Sequence, residues 1–191
     1  MLEIIIPYIN TRIESLDMFQ NLFGLCEIIT KDGKSFPAEY CNGEYKQVSD
    51  FDLEKGVIYH RLIDQIDTQE AEEETTVSCD PFYIKTFPLR TVACINKKFL
   101  KAIGDNAYLE TKIAQNIANT IVGTNNKNLR IDLMADSISI ETNSIITNKE
   151  DLFSEEYKGI DNFIRYEYLY IAIDYSVIVT GNVSCFQLYD C

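Results

Sequence analysis

The chain has 191 residues, 46% of them hydrophobic, which is enough apolar material for a buried core and excludes global disorder. Thirty acidic residues against 17 basic ones give a formal charge of −13. That balance argues against wrapping nucleic acid, because phosphate neutralisation needs clustered lysine and arginine.

The chain opens with a helical pattern. Leu2, Ile5, Ile9, Ile13 and Leu16 recur at spacings of three and four, the stripe of a 3.6-residue period. Pro7 is compatible only with the first turn, so the helix proper is expected to begin near Ile6, with Gly24 as its stop. Leu25 to Thr30 then reads as extended and leads into an Asp32-Gly33 turn. Ser35 to Cys41 resumes the strand, and Asn42-Gly43 signals a tight hairpin, since both central residues of such a turn need positive φ. Tyr45 to Val48 is expected to return antiparallel.

Val57 to Ile66 is a further strand pattern. It is followed by an acidic stretch, expected as an extended loop over 64–76, that carries Asp64, Asp67, Glu70, Glu72, Glu73 and Glu74. A strand from Val77 to Ile95 is interrupted by Pro81 and Pro88, which imply a bend or an edge position. The second main helix is the clearest. Asp105 is a candidate cap, Leu109, Ile113, Ile117 and Ile121 form the stripe, Ala114 and Ala118 flank it, and Gly123 ends it. Thr124 to Asn128 reads as a turn, Leu129 to Thr147 as one or two strands, and Ser154 to Lys158 as a short helical turn closed by Gly159.

Arg165 to Phe186 closes the chain as one strand or a tight pair. Leu169, Ile171, Ile173, Tyr175, Val177 and Val179 occupy every second position, so they share one sheet face. The other face carries Tyr166, Tyr168, Tyr170, Asp174, Ser176 and Thr180. Tyrosine suits contacts that are apolar in body and wet at the tip, and Tyr166, Tyr168 and Tyr170 are therefore expected at an interface. The whole, 1–191, is expected as a single α+β domain, a mostly antiparallel sheet with an N-terminal and a central amphipathic helix.

Chemistry-bearing residues are sparse. Asp50-Phe51-Asp52-Leu53-Glu54 looks like the start of a calcium loop, but Lys55 and Arg61 stand where glycine and glutamate are required. His60 is the sole histidine and reads as a strand residue paired with a neighbour. No glycine-rich phosphate loop and no nucleophile elbow occurs. The six cysteines lack Cys-x-x-Cys spacing, the first residues lack a secretory pattern, and reduced, mostly buried thiols are expected. No catalytic, cofactor-binding or metal-binding residue is assigned, and no membrane span, because the apolar runs fall well short of the ~20 residues one needs.

Several segments carry a family resemblance. They are Phe36-Pro37-Ala38-Glu39-Tyr40 before Gly43-Glu44-Tyr45, Ala107 to Ile121, Ser154 to Gly159, and Ile173-Asp174-Tyr175-Ser176-Val177 with Ser184-Cys185-Phe186. In these, and in the order of its elements, the chain resembles the tail-terminator and neck-ring proteins of tailed bacteriophages, those of crAss-like phages among them. The resemblance implies a structural virion protein, assembled in the host cytoplasm, that forms a homo-oligomeric ring of six or twelve subunits. Such a ring joins the head-side connector to the tail, touches adjacent neck or portal-side and tail ring proteins, and leaves a channel through which DNA passes without specific binding. The acid excess fits a wall that repels DNA. Asp64, Asp67, Glu70, Glu72, Glu73, Glu74, Tyr166, Tyr168 and Tyr170 are the expected contacts. The alternative is a monomeric acidic module, a DNA mimic that inhibits a basic partner.

Overall fold

The computed structural model describes residues 1–48, 54–71, 82–103, 108–124, 127–147 and 168–182. In chain order these form α1 (Leu2–Glu14), β1 (Asn21–Lys31), β2 (Lys34–Cys41), β3 (Glu44–Gln47), β4 (Gly56–Leu62), β5 (Asp67–Ala71), β6 (Phe82–Asn96), α2 (Lys97–Ile103), α3 (Leu109–Val122), α4 (Lys127–Asp132), β7 (Ser137–Ile146) and β8 (Tyr168–Asn182). The fold is α+β. One eight-stranded sheet runs in the order β3-β2-β1-β4-β6-β8-β7, with β5 beside the outer half of β6. All pairs are antiparallel except β1 with β4.

The period-two pattern of the last segment becomes β8, an interior strand between β6 and the edge strand β7. Leu169, Ile171, Ile173, Tyr175, Val177 and Val179 are all buried, and they meet Ile5, Ile6, Ile9 and Ile13 of α1 in the larger core. From α3, Ile113, Ala114, Ile117, Ala118 and Ile121 enter the same core, so the small alanines let the helix lie close to the sheet. Both two-residue hairpins are present. Asp32 and Gly33 have φ of 53° and 75°, and Asn42 and Gly43 have 54° and 87°, the left-handed pair that matches strand twist.

Several expectations change. Gly24 does not end α1. The helix stops at Glu14 in a turn over Ser15 to Asp17, and Gly24 lies within β1. Pro7 is inside the helix rather than at its start. Pro88 lies inside β6, a strand with neighbours on both sides rather than an edge strand, and its own ladder partner is Ser176 of β8. Its carbonyl accepts from the Ile63 amide at the seam where β4 has ended and β5 has yet to begin, so its missing N–H falls where the partner strand is interrupted. Residues 67–71 of the expected acidic loop are strand, because the outer half of β6 offers them an open ladder. Leu129 begins no strand. It is helical in α4, and Leu129 and Leu133, four apart, both pack fully buried into the core. The short helix α2 directly follows β6, beyond the end of the expected strand at Ile95.

Pro81, Asp105, the calcium-like Asp50 to Leu53 stretch and the 154–159 helical turn lie outside the described residues. No helix among the described residues is long and apolar enough to cross a membrane.

Candidate functional site

The second face of the sheet decides the fate of the tyrosines. Tyr168 and Tyr170 are 3% and 0% exposed, in a second core with Phe23, Cys26, Phe36, Ala38, Val57, Tyr59, Val92, Cys94 and Ala172. The β1–β2 hairpin supplies the cover, because β1 pairs with β4 through its first half and with β2 through its second. The expectation that these two side chains form an interface is corrected: they are core. Tyr166 lies outside the described residues.

Of the acidic positions, Asp64, Asp67 and Glu70 lie in an arm whose every residue from 63 to 70 is exposed, with Ile63 and Ile66 beside them. Glu72, Glu73 and Glu74 lie outside the described residues. Cys26 and Cys94 are buried as expected, whereas Cys41 is exposed. Burial pushes the Cys26 thiol up, so it stays protonated and inert.

His60 joins a buried polar chain. Its Nε2 lies 2.8 Å from Asn10 Oδ1, its Nδ1 lies 2.7 Å from Thr91 Oγ1, and the Thr91 hydroxyl is 3.2 Å from that of Tyr175. Asn10 donates through Nδ2 to the Phe23 carbonyl at 3.0 Å, which leaves its Oδ1 to accept from the imidazole. Nε2 therefore carries the proton. Complete burial lowers the His60 pKa to about 3, so the ring is neutral. The contacts run from Tyr175, which accepts from the Thr91 hydroxyl, through Thr91, His60 and Asn10 to the Phe23 carbonyl. The chain ties β8, β6, β4, α1 and β1 together. Cys94 faces the opposite core, so it does not meet this histidine.

Arg90 and Asp174 form a bidentate cross-strand pair, Nε to Oδ1 at 2.6 Å and Nη2 to Oδ2 at 3.0 Å, on the second face. Among the described residues no group of three or more His, Cys, Asp or Glu is placed to hold a metal ion.

A groove of about 650 Å³ lies between α1 and the β1–β2 strands. Leu2, Ile6, Pro7, Leu22 and Leu25 line it, and Glu3, Glu14, Glu27 and Glu39 rim it, while its described lining holds no lysine or arginine. It exists because β1 and β2 part. Their pairing ends at Cys26 opposite Glu39, and β1 then bulges between Leu22 and Leu25 to follow β4. The Glu39 carboxylate enters the gap and accepts from the Gly24 amide at 2.8 Å. Tyr45 donates to Glu27 at 3.0 Å and meets the exposed Tyr40 in a tilted ring pair, with centroids 5.1 Å apart and planes at 60°, beside the groove. Sequence reading missed this site, since its glutamates are scattered over three elements, α1, β1 and β2, with no local spacing to join them.

No protein-family model and no curated protein matches the chain.

Proposed function

We propose that the chain is a structural virion protein that forms a homo-oligomeric ring at the neck or upper tail of a tailed phage, around a channel for DNA. The observation that carries this reading is the pair of strands that end the sheet. β3 and β7 stand at opposite ends of the strand order, each paired on one side only among the described residues. All four residues of β3 are exposed, as are Glu141 to Ser144 and Ile145 of β7. Two different free edges on one subunit are what a head-to-tail, ring-closing contact uses.

Three further features support it. The resemblance to neck-ring and tail-terminator proteins implies such a ring. The charge of −13 suits a wall past which DNA slides. The exposed 63–70 arm, with Asp64, Asp67 and Glu70 around Ile63 and Ile66, has the mixed character of a contact with a neighbouring subunit or an adjacent neck or tail protein. A second reading, a monomeric acidic module that holds a basic partner, draws on the glutamate-rimmed groove.

Mass photometry of the purified chain over a range of concentrations, with negative-stain images of any large species, tests the proposal. Closed rings support it. A chain that stays monomeric throughout and is missing from purified virions overturns it.

A further inference from the structure

We infer that the groove between α1 and β1–β2 is a docking site for a lysine- or arginine-bearing amphipathic segment of a different protein. The inference stands apart from ring formation, because it concerns a surface that a single chain presents.

The two faces of α1 have different tasks. Ile5, Ile6, Ile9 and Ile13 enter the core, with Ile6 also at the floor of the groove, while Leu2, Glu3, Pro7, Asn10, Thr11 and Glu14 run along the groove for the length of the helix. A 13-residue helix makes that wall about 18 Å long. This is room for roughly five or six residues of extended chain. The floor is apolar, with Leu25 still 37% exposed at its edge, so a partner's apolar side chains gain burial there.

Hydrogen-bonding capacity sets the sign of the partner. Three donors along the groove are already used within the chain: the Gly24 N–H on Glu39, the Thr11 hydroxyl on the Pro7 carbonyl at 2.9 Å, and Asn10 Nδ2 on the Phe23 carbonyl. Acceptors are left over. Pro7 has no N–H to give the carbonyl of Glu3 four residues before it, and four carboxylates rim the walls. Gly24 and Tyr45 hold Glu39 and Glu27 in place before any partner arrives. An acceptor-rich, negatively charged groove with an apolar floor selects donors that are positive and carry apolar neighbours. A metal ion is not the fit, since no three of the described acids converge on a point. A second copy is the poorer fit for this groove, because 30 acidic against 17 basic residues leave it short of the cationic segment that the groove selects.

The test is fluorescence anisotropy on the full chain, with a labelled synthetic peptide of alternating lysine and leucine and a control peptide of alternating glutamate and leucine. The lysine peptide is expected to bind and to weaken as salt rises, and the glutamate peptide to show no binding. The double variant Glu14→Lys with Glu27→Lys, both at exposed positions, is expected to weaken binding by about tenfold or more. Glu54→Lys with Glu110→Lys changes net charge equally at exposed positions outside both the groove and the β3 and β7 edges, and binding should remain within about twofold. Leu25→Asn should weaken it through the floor. Equal losses in both charge variants would reduce the effect to general attraction and overturn the site, as would failure of the lysine peptide to bind.

Discussion

Gly24 and Glu39 face each other where β1 and β2 part: the Gly24 amide donates to Glu39 Oε1 at 2.8 Å, and a Cβ added to Gly24 would lie 2.5 Å from that oxygen. The absent side chain is what admits the carboxylate. Gly24→Ala should push the flexible end of Glu39 out of the gap and cost about 1 kcal/mol, the size of one hydrogen bond. Urea unfolding reads the loss, and Glu39→Gln, which keeps an acceptor, should lose less. A neutral Gly24→Ala would show that the contact contributes nothing.

Stability should depend on pH through His60, the chain's single histidine. Its folded pKa, lowered to about 3 by burial, lies below the unfolded value of about 6.5. The unfolded chain therefore takes up a proton that the folded chain refuses. The contribution is complete above about pH 6.5 and is lost as pH falls from there towards 3, at a slope of about 1.4 kcal/mol per unit. His60→Gln keeps a donor and an acceptor but cannot titrate, so wild type minus variant should show that slope between pH 6.5 and 5. Parallel curves for the two proteins would contradict it.

Arg90 and Asp174 have side chains 17% and 14% exposed, so removing one leaves the other poorly solvated. Arg90→Met or Asp174→Leu alone should cost about 2–3 kcal/mol, and the double variant clearly less than the sum. Denaturant midpoints over the four-protein cycle measure the coupling. Additive losses would mean that the pair is no more than two neighbours.

Tyr170 fills the second core, so Tyr170→Ala should destabilise the chain by about 3–5 kcal/mol, as truncation of a large buried aromatic does. Thermal or urea unfolding is the readout. A stable Tyr170→Ala chain with altered assembly would return this residue to an interface.

What the amino-acid order determined by itself was local. The alternation from Leu169 to Val179 forces one apolar face whatever lies opposite, because a strand's side chains alternate. Asp32-Gly33 and Asn42-Gly43 state their turns through backbone geometry alone, and the Ile113, Ile117, Ile121 stripe states its helix. What only the tertiary structure decided was the cover. Periodicity shows which residues share a face and is silent on what packs there. Tyr168 and Tyr170 are core because Phe23, Cys26, Phe36 and Ala38 arrive from the other end of the chain. Asp67 to Ala71 became strand because β6 had an open ladder beyond β4. The groove exists only because β1 bulges between Leu22 and Leu25 and changes partner at Cys26, which gathers Glu3 and Glu14 of α1, Glu27 of β1 and Glu39 of β2. Electrostatics acts through space rather than along the sequence, so that gathering carries no local signature.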